Sequence, residues 1–272
     1  MTHPNRLPDF IVIGAMKAGT TALHHRLAAH PGIGMARLKE TEFFLPAKAR
    51  GRGLDWYARQ FPPGDLKRGE VSPNYAKRLV FPGTPERIAA LLPDVRLIYI
   101  LRDPVARALS EYRHLRAMGR LAPGPLPPDA FARLVDASLY ARQLEAYLAV
   151  FPISALHLAT LEADPRGMLT ALAGFLGVAD DWPEARAAHG NRAASVAAMP
   201  GWFWSMRDGK AGQALRRHLP EGVKTGLRRA IAQPAPAAAI PPDLAARIRD
   251  AVAGDTGRLR GLTGGRFAEW SV

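Results

Sequence analysis

No cysteine occurs in the 272 residues. Disulfide frameworks, thiolate metal sites and cysteine nucleophiles are thereby excluded, and a reducing cytoplasm is the expected compartment. Long apolar runs are also missing: nothing approaches the ~20 residues that span a bilayer. The opening MTHPNRLPDFIVIG has no basic start followed by a long apolar stretch and a small-residue cleavage site, so it does not read as a secretory signal. Acidic residues are the scarcer charge, 24 against 37 Lys and Arg, giving +13. That surplus favours anionic partners such as nucleotides, glycans or nucleic acid without choosing among them. An arginine- and alanine-rich composition weakens it further as an indicator.

What is present is an ordinary globular balance, 48% hydrophobic and 22% charged, in a chain long enough for a substantial core. Asp9–Gly14 reads as a buried strand ending at glycine, and Thr20–His30 as a helix stopped by Pro31-Gly32. Ile33–Met35 is a short strand, Gly53–Gln60 a short helix and Glu70–Pro73 a strand-to-loop passage. Pro85–Leu92 is an amphipathic helix. Val95–Leu101 (VRLIYIL) is nearly all apolar, as a parallel strand covered on both faces should be. A helix over Val105–Met118 follows, then a proline-rich loop at 119–129, a helix at Ser138–Val150, a strand at Ala155–Leu161 and a helix at Arg166–Leu176. This alternation predicts an α/β fold: one doubly wound domain with a central parallel sheet. Its core is residues 9–178, a variable loop and helix cover spans 179–243, and a helix with its tail closes 244–272. No internal repeat is visible.

Two constellations carry chemistry. The first is Gly14-Ala15-Met16-Lys17-Ala18-Gly19-Thr20-Thr21, between a strand and a helix. Unpaired N–H groups at a helix start bind phosphate or sulfate, Gly19 permits close approach, and Lys17, Thr20 and Thr21 add charge and hydroxyls. The nucleoside-triphosphatase pattern puts lysine after the last glycine. Here it precedes Gly19, and no acidic strand end for magnesium is evident, so the loop suits an anion handled without a metal. The plain alternative is a tight turn with a surface lysine. The second is LRDPVARALSEY at 101–112. Arg102 ends the second strong strand, where doubly wound sheets bind ligands. Ser110 lies two turns into the next helix and shares a face with Arg107. A guanidinium and this serine can converge on one phosphate. A structural Arg102–Asp103 pair beside an exposed Ser110 is the alternative.

Together these motifs resemble the sulfotransferases that use 3'-phosphoadenosine 5'-phosphosulfate (PAPS), particularly bacterial members close to the heparan sulfate and glycan type. The resemblance extends through KETEFF (39–44), GLDWYARQFP (53–62), GEVSPNY (69–75), SLYARQLEAYLAVFP (138–152) and DPRGMLTALAGFLGV (164–178). Past residue 180 it thins to HGNRAAS (189–195) and RLRGLTGGRFAEW (258–270).

The resemblance implies that Lys17, Ala18, Gly19, Thr20 and Thr21 cradle the 5'-phosphosulfate. Lys17 then contacts the leaving phosphate, Arg102 and Ser110 hold the 3'-phosphate, and Arg192 lies in a loop closing over the nucleotide. It implies that Glu40 is the base taking the acceptor's proton, with Glu42 in reserve. A solvated Glu40 paired with Lys39 is the bland alternative. Glycan members often carry histidine where Glu42 stands, and some carry lysine where Val71 stands. These departures touch the acceptor rather than the cofactor.

Expected is therefore in-line sulfuryl transfer from PAPS to a hydroxyl or amine of a saccharide or glycosylated small molecule, with adenosine 3',5'-bisphosphate as product and no metal required. A nucleotide-dependent kinase and a non-catalytic anion- or nucleic-acid-binding module are the rivals. His24 and His25 read as helix-surface residues, and Trp56 and Tyr57 as core packing. Trp202 and Trp204 could line an acceptor pocket. The basic pairs Arg216-Arg217 and Arg228-Arg229 read as a solvated face, with attraction of the acceptor as the alternative.

Overall fold

The structure, a computed structural model, describes residues 6–49, 51–122, 124–161, 164–184 and 240–272. Five strands, β1 (Phe10–Gly14), β2 (Ile33–Met35), β3 (Lys67–Val71), β4 (Arg96–Leu101) and β5 (Leu156–Thr160), form one parallel sheet in the order β2-β3-β1-β4-β5. The chain leaves β1 for an outer strand, returns through β3 and crosses to β4, so the order reverses around β1. In open α/β sheets that switch point, at the carboxyl ends of the strands, is where ligands bind.

Helices α1 (Thr20–Ala29), α2 (Pro46–Ala49), α3 (Leu54–Ala58), α4 (Thr84–Leu91), α5 (Pro104–Ala117), α6 (Pro128–Asp136), α7 (Tyr140–Leu148), α8 (Pro165–Leu176) and α9 (Leu244–Leu262) complete the fold, with short 3-10 turns at Pro73–Ala76 and Ile153–Ala155. None is long and apolar enough to cross a membrane.

Phe10–Ile13 and Leu97–Leu101 are buried because helices cover both sheet faces. Each such side chain contributes ~1.5–3 kcal/mol of transfer free energy. A second apolar cluster joins Val105, Ala108 and Tyr112 of α5 to Leu134 and Val135 of α6 and to Leu244, Ile248 and Val252 of α9. Asp255 of α9 accepts the N–H groups of Ala141 and Arg142 at 2.9 and 3.0 Å, capping the start of α7 from outside its own sequence.

Two elements depart from the expectations. The β3 strand begins at Lys67, three residues before the expected passage, because a Lys-Arg-Gly-Glu-Val run carries no strand-like apolar pattern. Its fit depends on Gly69, where a Cβ would come within 2.0 Å of the Phe10 ring. Helix α6 opens at Pro128, inside the segment expected to be loop, since proline is tolerated in a helix's first turn. Of the expected cover at 179–243, residues 185–239 lie outside the described residues.

Candidate active site

The phosphate loop leaves β1 at Gly14 and enters α1 at Thr20. Its start is fastened to the neighbouring strand by Ala15 N–H donating to the Ile100 carbonyl at 2.7 Å. Gly19 is the residue before the helix, with φ +95° and no side-chain cap. A Cβ there would meet Leu161 Cδ1 at 2.5 Å. The turn into α1 therefore takes a glycine, for its left-handed backbone and for its packing on Leu161.

Lys17 also takes a left-handed backbone, φ 68°. That conformation costs a non-glycine residue roughly 1–2 kcal/mol. Its ammonium is half-buried and has no hydrogen-bond or ion-pair partner among the described residues. Burial lowers its pKa, the Glu111 carboxylate pulls it back up, and the Arg102 guanidinium lowers it again. A desolvated cation beside a second cation, at the start of a helix, is a site for an anion.

Arg102 follows the last residue of β4 and is half-buried, and its carbonyl accepts the Tyr140 hydroxyl at 2.9 Å. Asp103, the partner for Arg102 in the alternative reading, directs its carboxylate to backbone donors. It accepts Ala106 N–H at 2.7 Å as the cap of α5 and Ser271 N–H at 2.7 Å from the C-terminal segment. Burial works against its charged form, but these donors prevail and hold its pKa below the usual value.

Ser110 is half-exposed on α5, whereas Arg107, expected on the same face, is fully buried. Arg107 donates to Ser138 Oγ and the Leu134 carbonyl, both at 2.6 Å, and to the Met16 carbonyl at 3.3 Å, and it pairs with Glu111. Glu111 also accepts from Lys77 at 2.8 Å. Burial pushes the Glu111 carboxyl up, but Arg107 and Lys77 outweigh it and hold the pKa at about 2. Arg107 is therefore a strut beneath the phosphate loop, not a ligand group on its surface.

The carboxylates Glu40 and Glu42 lie in the loop after β2. Both are left-handed, φ 64° and 53°, and such strain persists only where surroundings over-determine it. Glu40 pairs with Lys39 at 2.7 Å with its side chain 37% exposed, so the expected bland contact does form. Its backbone N–H donates to the Val71 carbonyl at 2.9 Å, which brings it to the carboxyl end of β3, beside β1. Glu42 is more committed: its carboxylate takes Lys48 at 2.6 Å and the Asn74 amide. Of the two, Glu40 has the more exposed side chain.

Two residues enter that the sequence reading did not single out for this site. His114 of α5, one turn beyond Ser110, is half-buried; burial first and the nearby Lys17 charge second lower its pKa. Its i, i+4 spacing from Ser110 was the available signal. Thr41 lies between the two glutamates, 1% exposed and bonded to the buried Glu70. His24, expected on the helix surface, is half-buried with Nδ1 unpartnered, and burial, then the Lys39 charge, lower its pKa; Glu40 acts the other way. It therefore lies within the field of the Lys39–Glu40 pair. His25 is exposed, Tyr57 is core, stacked on Phe43 at 4.2 Å, and half-buried Trp56 stacks under Arg52. Arg192, Trp202, Trp204, Arg216, Arg217, Arg228 and Arg229 lie outside the described residues. A cleft of about 330 Å³ between Asp9, Lys67, Asp94 and Arg96 opens at the opposite, amino end of the strands, away from all of these groups.

Residues 7–188 match the Sulfotransferase domain family. The chain belongs to the sulfotransferase family. Human bifunctional heparan sulfate N-deacetylase/N-sulfotransferase 3 is 32% identical over 198 residues, covering 64% of this chain and 23% of that protein. Mouse heparan sulfate glucosamine 3-O-sulfotransferase 3B1 is 34% identical over 194 residues, covering 64% of this chain and 47% of that protein. The chain thus spans less than half the length of these two relatives. A solved sulfotransferase from Alicyclobacillus acidocaldarius has the same fold, with a TM-score of 0.69 over 97% of this chain and 99% of that one at 24% identity. The phosphate loop, the Arg102–Ser110 segment and the Glu40–Glu42 loop all fall inside the stretch matched by the sulfotransferase domain.

Proposed function

We propose that this sulfotransferase moves the sulfuryl group of PAPS to a hydroxyl or amine on a saccharide or glycosylated small molecule. The observation that carries the reading is Lys17: a half-buried ammonium just before α1 with no ion-pair partner among the described residues, within the fields of Glu111 and Arg102. The donor set fits the nucleotide, because Lys17, Arg102 and the start of α1 lie at one edge of the sheet. PAPS supplies the sulfuryl group and a phosphate leaving group.

The backbone of Lys17, Ala18, Gly19, Thr20 and Thr21 holds the 5'-phosphosulfate, with the two threonine hydroxyls as further donors. Lys17 and the helix start stabilise negative charge that develops on the departing phosphate. Arg102 and Ser110 hold the 3'-phosphate, and Arg192 is a candidate for closing over the nucleotide. Glu40 takes the acceptor's proton, a contribution of roughly 10²–10⁴-fold for a placed base. Two heparan sulfate sulfotransferases among the relatives support a saccharide acceptor. The absence of cysteine agrees with a cytoplasmic setting, and the reading calls for no metal.

Calorimetric titration of adenosine 3',5'-bisphosphate into the protein without added metal tests the nucleotide site. Micromolar binding is expected, weakened about 10-fold or more by Arg102→Ala, as loss of charged hydrogen bonds worth ~1.5–3 kcal/mol implies. Binding of ATP with magnesium and not of the bisphosphate would overturn the reading in favour of a kinase.

A further inference from the structure

Glu70 is a completely buried carboxylate to which the mechanism above gives no part. Thr41 donates to its Oε2, the hydroxyls of Tyr75, Tyr57 and Ser72 also favour its charged form, and its Oε1 has no hydrogen-bond partner among the described residues. The bond to Thr41 crosses from β3 to the centre of the loop that carries Glu40 and Glu42.

The end of β3 and the residue after it grip that loop at three successive residues. The Val71 carbonyl accepts Glu40 N–H at 2.9 Å, Glu70 accepts the Thr41 hydroxyl, and Ser72 Oγ accepts Glu42 N–H at 3.3 Å. Farther along, the Tyr75 hydroxyl accepts Phe44 N–H at 3.4 Å, and Thr41 Oγ1 accepts Phe43 N–H at 3.4 Å. Thr41 is the one side chain from the Glu40–Glu42 triplet that points into the core, and both its neighbours are left-handed. A core carboxylate is costly to keep, and the hydrogen bond this one makes to the loop goes to Thr41.

We infer that Glu70 is a positioning residue for the base: acting through Thr41, it fixes the loop conformation that presents Glu40 at the carboxyl edge of the sheet. This rests on the reading of Glu40 as base, and the test separates the two.

Thr41→Val keeps the side chain's shape and removes the hydroxyl, and Thr41→Ser restores it. Turnover is followed with ³⁵S-labelled PAPS, both as transfer to fully desulfated heparin oligosaccharides and as sulfate release into water, which needs no acceptor. Amide hydrogen exchange of residues 40–44 is measured on the same samples. Thr41→Val is expected to lower kcat about 10-fold with KM for PAPS within 2-fold. Exchange at 40–44 should speed up at least 10-fold while residues 17–23 stay protected, and Thr41→Ser should return both readouts.

Faster exchange with unchanged kcat would make the contact a structural clamp and overturn the inference, as would unchanged exchange. Glu40→Gln is run alongside. If it keeps the parent rate, the base reading fails. If it abolishes turnover while Thr41→Val does not lower it, the positioning role alone fails.

Discussion

The two sides of the site rest on buried carboxylates treated in opposite ways. Under the phosphate loop, Glu111 is clasped by Arg107 and Lys77, and its pKa is held at about 2. Under the Glu40–Glu42 loop, Glu70 is surrounded by hydroxyls, and burial pushes its pKa up to about 7. Burial is nearly the same for both, 4% and 0% exposed. Partner chemistry decides the direction: cations favour the charged form by more than burial disfavours it, whereas neutral donors do not. The difference suits the tasks. A permanent ion network holds the loop for which nucleotide binding is proposed. A carboxylate raised toward neutrality lies under a loop whose Glu40 is proposed as the base. The chain after β3 links the sides, since Asn74 reaches Glu42 and Lys77 reaches Glu111.

The comparison breaks most visibly at Glu111. Glu111→Gln keeps the shape but leaves the fully buried Arg107 and the mostly buried Lys77 without their counter-charge. A loss of ~3–5 kcal/mol is expected on urea unfolding at pH 7. Because the folded pKa is depressed, the parent's advantage is present above the unfolded value near 4.5 and fades as pH falls toward 2. A variant within ~1 kcal/mol of the parent at pH 7 would mean that this network carries no weight in the fold.

Legibility in the sequence followed the same division. The phosphate loop, β1 and β4 could be read because glycine placement and unbroken apolar runs are local signals. Arg102 and Ser110 could be placed because a strand end and a helix spacing fix them. Arg107 could not be told from a ligand residue, since its i, i+4 partner Glu111 gives a surface pair and a buried strut the same spacing. Glu70 and Thr41 are 29 residues apart, joined only because β3 lies between β2 and β1. The strand order that brings them together is a tertiary fact. Likewise α6 was hidden in a proline-rich run whose last proline begins the helix.

The Glu70 side predicts the opposite pH dependence. Its folded pKa is raised, so its contribution is full below about 4.5 and is lost as pH rises through about 7. Glu70→Gln removes that slope. The stability difference between parent and variant should shift in the variant's favour by on the order of 2–3 kcal/mol between pH 4 and pH 8. Urea unfolding at five or six pH values across the window measures it. A flat difference would show that Glu70 is ionised throughout, like Glu111, and would erase the contrast.

The smallest effect is the most informative about the loop itself. Glu40 is held left-handed at a cost of roughly 1–2 kcal/mol, and its carboxylate makes an exposed pair with Lys39 worth ~0–1 kcal/mol. Glycine relieves the strain, although it costs about 0.5–1 kcal/mol in the greater freedom of the unfolded chain. Glu40→Gly is therefore expected to leave stability unchanged or raise it by up to about 1 kcal/mol while turnover falls at least 100-fold. Calorimetric melting and sulfate transfer from PAPS read the two sides of that trade. A melting point several degrees lower would make Glu40 a structural ion-pair residue, because a side chain retained for catalysis in a strained backbone should cost nothing in stability when removed.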